Sequence, residues 1–432
     1  MRALYILLCL FILCSLMIAC GGRKKSESTD IPPIPVVPTV EIKPTINVYV
    51  ENSGSMDGYV KGVTDFEHAI YSYLSDVKIT GIADSINLYY INSQIIPTGS
   101  DIADFISKLE PSSFTVRGGN RGVSDIANVL KAILNETTDN TVSIFISDCV
   151  FSPGRGKDAS EYLISQQIGI KSDVAPHIEK YPETAFAIYR LTSQFNGTYY
   201  NCYDAPTFIN DRRPFFIWLI GGVDHILALQ KRIPNSHFKG SGITDSYTLL
   251  PQSRKIDFYI PLSPKFGTFK FDRRDQNHIT AVKKATKGTH KGKFMFTVEV
   301  DFSDLKTLLE KEYLCNTENY SLTINGRPSE AFILSITENP VANARYTHRI
   351  QLTSIDAIPI GNVQIELINK APSWITTKND DEGINIHAID AMDKTYGIKY
   401  LIGGVEDAYR MVVKETGDAY QSYAKMNVLI SK

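Results

Sequence analysis

Val48-Tyr49-Val50-Glu51-Asn52-Ser53-Gly54-Ser55-Met56-Asp57-Gly58 is the stretch on which the reading of this chain turns. Ile46, Val48 and Val50 mark a buried strand that runs straight into a turn, flexible at Gly54, displaying Ser53 and Ser55 two positions apart. Hydroxyls at i and i+2, with the Glu51 carboxylate at i−2, make an oxygen-only pocket of the kind a hard divalent cation takes. Ser-Gly-Ser is also an ordinary turn composition, so the stretch needs support from elsewhere in the chain.

Two further stretches supply it. Arg117-Gly118-Gly119-Asn120 is followed by Ser124 and Asp125 at the head of an amphipathic run through Leu130 and Ile133. Val142-Ser143-Ile144-Phe145-Ile146-Ser147 reads as a strand ending at Asp148. In this order the three stretches resemble the metal-site motifs of the von Willebrand factor type A (vWA) domain, over roughly residues 45–235. The resemblance implies that Glu51, Ser53, Ser55, Ser124 and Asp148 surround Mg2+ or Ca2+. The hydroxyls would bind directly and the carboxylates mostly through water. It also implies a partner protein whose carboxylate completes the coordination. Two positions depart from the family pattern: Glu51 stands where it has Asp, and Ser124 where it has Thr. The extra methylene of Glu51 sets its carboxylate about 1.5 Å further out, which Ca2+ tolerates better than Mg2+. Read without the family, Ser124 is equally a helix N-cap and Asp148 a strand-end acid.

The physical case for one site rests on sheet topology. In an open α/β sheet, ligands gather beyond the carboxyl ends of strands where the strand order reverses. If the strands ending at Glu51 and Asp148 are neighbours there, the hydroxyls and both carboxylates converge.

The rest of the first half alternates strand and helix, which predicts a doubly wound, mostly parallel, Rossmann-like sheet. Phe66, Ala69, Ile70, Tyr73 and Leu74 recur at helical spacing, and 86–91 with 95–96 form a hairpin. Strands at 185–189 and 215–220 and a closing helix at 223–233 complete it. Beyond about residue 250, alternation at 294–300, 331–336, 346–352, 363–367 and 426–430 predicts a β-rich, sandwich-like C-terminal domain over 250–432. Val405 to Val413 reads as a helix that a plain sandwich does not require. Trp218-Leu-Ile-Gly-Gly-Val-Asp224 and Tyr400-Leu-Ile-Gly-Gly-Val-Glu406 look alike, either as a duplicated strand-to-helix turn or by chance.

At the N-terminus, Arg2 precedes an apolar stretch from Ala3 to Ala19, which reads as a signal segment over 1–19. Met17-Ile18-Ala19-Cys20 resembles a bacterial lipobox, with Met in place of the usual Leu, and so implies lipidation at Cys20. Residues 20–44 read as a tether, with Pro32, Pro33, Pro35, Pro38 and Pro44 favouring extended polyproline II. Arg23, Lys24 and Lys25 follow Cys20, where acidic residues would act as a surface-export cue in some lipoproteins. The expected location is therefore the bacterial envelope, lipid-anchored in the outer membrane on its periplasmic face.

Of 432 residues, 45 are Lys or Arg and 47 are Asp or Glu, a net charge of −2 that recruits no nucleic acid. A local exception is 272–293, with Arg273, Arg274, Lys283, Lys284, Lys287, Lys291 and Lys293. It is either a solvated hairpin tip or a surface for an anionic partner. Beyond Cys20 the chain has Cys149, Cys202 and Cys315, which allow at most one internal pair; Cys149 and Cys202 follow neighbouring predicted strands.

Three functions compete on this reading. The first is a binding or scaffold module that holds a protein partner. The second is a hydrolase with Ser55 as nucleophile, although a Gly-x-Ser-x-Gly elbow would need glycine at Ser53. The third is a metal-free structural subunit in which the same pocket is idle.

Overall fold

The computed structural model describes residues 43–115, 118–122, 125–341, 344–416 and 422–432. Residues 1–42, where the sequence reading expects a signal segment, Cys20 and most of a tether, lie outside the described residues, as does Ser124. Residues 42–432 make one compact unit.

Seven strands build the first sheet: β1 (Thr45–Glu51), β2 (Ser85–Ile91), β3 (Ile95–Gly99), β4 (Thr141–Ser147), β5 (Thr184–Tyr200), β6 (Pro206–Gly222) and β7 (Ile243–Leu249). Their order is β3-β2-β1-β4-β6-β5-β7. β1 pairs in parallel with β2 on one side and β4 on the other, so the strand order reverses at β1/β4. The remaining pairings are antiparallel. The protein thus belongs to the α/β class with a mixed sheet whose parallel part is β2-β1-β4. The antiparallel half follows from one hairpin. β5 and β6 are each 17 residues long and joined by only 201–205, a connection too short for a crossover. Their outer halves were invisible as strands because Asn210-Asp211-Arg212-Arg213 reads as a loop.

Strand alternation divides the apolar side chains between two cores. Val48 and Val50 of β1, with Ile144 and Ile146 of β4, face one way, toward Phe66, Ile70 and Leu74 of α1 (Asp65–Thr80). On the same side lie α2 (Ile102–Ser107) and the C-terminal strands from Phe269 to Leu367 and Tyr423 to Ile430. Tyr49, Phe145, Phe186 and Trp218 face the other way, toward α3 (Ile126–Glu136) and α4 (Ala159–Lys180). Helix α5 (Val223–Arg232) returns the chain to the first side before β7 adds to the sheet edge, so the sheet runs past the expected limit of 235.

The second half holds β8 (Phe258–Tyr259), β9 (Thr268–Phe271), β10 (His278–Lys283), β11 (Met295–Val300), β12 (Tyr320–Ile324), β13 (Arg327–Pro328), β14 (Phe332–Glu338), β15 (His348–Ser354) and β16 (Gly361–Ile368). The short parallel pair β17 (Asn379–Asp380) and β18 (Thr395–Tyr396) precedes helix α6 (Ile398–Thr416) and β19 (Ser422–Ile430). Two sheets result, β13-β12-β16-β19-β10-β9 and β14-β15-β11-β8, and their inner faces share a single buried cluster. All their pairings are antiparallel except β10 with β19.

Helix α6 explains the helical stretch that a sandwich left over. Leu401, Ile402, Val405, Ala408 and Tyr409 are buried in the core of α3 and α4, not among the C-terminal strands. The Tyr409 hydroxyl donates to the Thr184 carbonyl at 2.6 Å, tying the helix to the start of β5. The two Leu-Ile-Gly-Gly segments have different fates: the first ends β6 and the second lies inside α6. Cys149, Cys202 and Cys315 are all free thiols, so the admissible Cys149–Cys202 pair is not formed.

Candidate functional site

Register brings the two carboxylates together. Val50 pairs with Ile146 in the parallel β1/β4 ladder, so Glu51 and Ser147 end neighbouring strands at the reversal point. The Ser147 hydroxyl donates to Glu51 Oε2 and itself accepts from the Cys149 N–H at 2.8 Å. Cys149 has φ of 54°, a left-handed kink that turns the chain immediately after Asp148.

The serines meet the same acids. After β1, Gly54–Gly58 forms a 3-10 turn, and the Ser53 and Ser55 hydroxyls lie 3.0 Å apart. The Ser55 hydroxyl also lies beside the Asp148 carboxyl and favours its charged form. Four of the five residues expected from the sequence, Glu51, Ser53, Ser55 and Asp148, therefore form one connected cup. Glu51, Ser53 and Asp148 are buried, and Ser55 is half-buried.

The fifth, Ser124, is outside the described residues, but the loop that leads to it reaches the cup. Gly54 N–H donates to the Arg121 carbonyl at 3.0 Å. In return, Arg121 Nε donates to the Asn52 carbonyl at 2.6 Å, its Nη2 to the Ser53 carbonyl at 3.2 Å, and its guanidinium pairs with Asp57. Asn92 completes the seat. Its Nδ2 donates to Asn52 Oδ1 at 2.8 Å and to the Gly118 carbonyl at 3.0 Å. Gly119, at φ of 72°, passes so close that a Cβ there would lie 2.0 Å from Asn92 Oδ1. That close approach, and not only turn flexibility, requires glycine at this point. At the helix start the N-cap is Asp125, which accepts from the N–H groups of Ala127 and Asn128, both at 3.2 Å.

Electrostatics are set by burial. Desolvation, then the adjacent Glu51 charge, push the Asp148 carboxyl up to about 7. The Val150 N–H, the Ser55 hydroxyl and the Arg213 charge pull against that rise. Arg213 comes from the polar outer part of β6. It is buried, stacks over the Tyr199 ring at 4.7 Å, and donates to the carbonyls of Ala391 and Met392, each at 3.4 Å. Asn52, Asn92, Arg121, Ser147 and Arg213 were all missed in the sequence. Ser147 alone carried a signal, being the last strand residue before Asp148.

The donor set suits a hard cation in kind. It offers two hydroxyls and two carboxylates, all oxygen, with one carboxyl holding its proton near neutrality where a cation would take the proton's place. Among the described residues, no group of three or more His, Cys, Asp or Glu side chains converges, so any such site must also draw on hydroxyl or carbonyl oxygens. For the nucleophile reading, the Ser55 hydroxyl is hydrogen-bonded to the Ser53 hydroxyl and lies beside the Asp148 carboxyl. No described helix is long and apolar enough to cross a membrane.

No protein-family model matches the sequence, and comparison with curated proteins returns no match.

Proposed function

We propose that this chain is a lipid-anchored envelope protein that holds a partner protein at the cup of Glu51, Ser53, Ser55 and Asp148, in the manner of a vWA-like binding module. The observation that supports it most is the convergence of these four side chains at the point where the strand order reverses. Ser53, Ser55 and Asp148 are the residues that would hold Mg2+ or Ca2+, with Glu51 behind them and Ser124 as a further hydroxyl. A bound ion would supply an open coordination position for a carboxylate of the partner. Arg121 holds the first loop in place through main-chain carbonyls, so the serines are presented on a fixed turn. The surroundings suit a protein partner. Tyr200 and Phe208 are exposed on the β5/β6 hairpin, and a Cβ on Gly54 would lie 3.6 Å from the Tyr200 ring. In this reading Cys20 carries the lipid, residues 21–44 are the tether, and the protein sits on the periplasmic face of the outer membrane.

Titration calorimetry of the native protein and of Ser53→Ala with Mg2+ and Ca2+ tests the metal. The expected result is saturable binding by the native chain and at least about tenfold weaker binding by the variant. No binding by the native chain at millimolar ion removes the metal from the proposal.

A second reading has its own support. The cup's groups already have partners, Ser53 with Ser55, Asp148 with the Val150 N–H and Glu51 with Ser147. A metal-free module would use the same rim and need no ion. Co-purification from membranes in the presence of a chelator separates the two: a partner that stays bound belongs to the metal-free reading.

A further inference from the structure

We infer that the β9/β10 hairpin and the loop after it form a second contact surface, one that lies against anionic phospholipid headgroups. Between residues 265 and 293 the chain carries nine Lys and Arg against two acids, Asp272 and Asp275, a local excess of seven positive charges in a chain of net charge −2. Among the described residues none of these nine cations is in an ion pair, whereas Arg254, Lys306, Lys311 and Arg345 nearby in sequence all are.

The fold concentrates the charge. Lys270 pairs with Thr280 and Thr268 with Lys283, so Lys270 and Lys283 stand on one exposed face of the edge hairpin while Phe269 between them is buried. Ala285 N–H donates to the Lys293 carbonyl and Gly292 N–H to the Ala285 carbonyl, both at 2.8 Å. These bonds close 285–293 into a narrow loop, with Lys284 and Lys293 at its neck and Lys287 and Lys291 beyond it.

The chemistry selects the partner. Seven of the nine are lysines, hydrated point charges on flexible stems, not the planar forks that read a shaped anion. Among the described residues, the cavities of 310 to 480 Å³ are lined by other segments. Diffuse mobile cations on an open face match a fluid array of headgroups. The inference rests on the anchored reading only for having a bilayer within reach.

The test is lysine acetylation of the full chain followed by mass spectrometry, with vesicles of phosphatidylcholine alone or mixed with phosphatidylglycerol. Lys283, Lys284, Lys287, Lys291 and Lys293 should react about fivefold more slowly with the anionic vesicles, and salt of about 0.5 M should abolish the difference. Lys61, exposed on the turn after Gly58, should not change. Equal rates on both vesicles overturn the inference and leave the lysines as guards against edge-to-edge pairing of β9. Protection by soluble heparin but not by anionic vesicles overturns it in favour of a polysaccharide-like partner. Flotation of the chain with neutral vesicles reports the N-terminal attachment separately, so failure of the anchor and failure of the basic face are distinguishable.

Discussion

Asp148 shows how one side chain couples the site to stability. Its ordinary value is 3.8, and burial beside Glu51 raises it to about 7 in the folded protein. A raised carboxyl favours folding while it is protonated, and that contribution is lost as pH rises from about 4 through 7. Asp148→Asn removes the titration. The stability of the variant relative to the native chain should therefore grow between pH 4 and pH 7, by at most about 1.4 kcal/mol per pH unit, and level off above. Urea unfolding at four or five pH values measures it, and a difference independent of pH would mean that the carboxyl is not held protonated. The same proton is what a divalent ion would displace, so ion binding should strengthen with pH over this range.

At the scale of elements, the Gly403-Gly404 pair in α6 decides a packing distance. A Cβ on Gly404 would lie 2.7 Å from Ile170 Cβ and 2.8 Å from the Gln167 carbonyl of α4, closer than such atoms come. Alanine is the better helix former by about 1 kcal/mol, but here overpacking opposes it, at about 1–3 kcal/mol. Gly404→Ala should lower the thermal midpoint. A rise would show that the helices are not in close contact. The earlier copy of the motif uses glycine for another approach, since a Cβ on Gly221 would lie 2.4 Å from the Thr141 carbonyl across the β4/β6 pair. One short sequence thus serves a strand pairing and a helix crossing, which is why its repetition carries no common structure.

Over the whole molecule, the last fifth of the chain completes the first layer. Seven large apolar side chains of α6, Ile398, Leu401, Ile402, Val405, Tyr409, Val412 and Val413, are buried in the core of α3 and α4. At about 1.5–3 kcal/mol each, their burial is on the order of 10 kcal/mol, comparable with the entire stability of a typical domain. A fragment of residues 45–235 should then lack a cooperative thermal transition and bind a hydrophobic dye. It would also lack β7, the sheet's edge strand. A sharp melt from that fragment would show that α6 is dispensable. Further ties cross the same boundary: Arg190 of β5, buried, is held by Asp245 of β7 at 2.9 Å and by the Asp393 carbonyl at 2.7 Å.

Local pattern alone was enough for β1, β4, the helices α1, α3 and α5, and the placing of Glu51, Ser53, Ser55 and Asp148 at the ends of those strands. Each depends on residues a few positions apart, and apolar periodicity reports that directly. The switch point, the length of the β5/β6 hairpin, the return of α6 to the first layer, and the service of Arg121 and Arg213 at the cup were decided by tertiary structure. The switch point, the return of α6 and the two arginines each join segments tens to hundreds of residues apart, and the outer hairpin runs through polar positions whose character in sequence is that of a loop. Burial alone turns such residues into partners, and burial is a property of the folded chain.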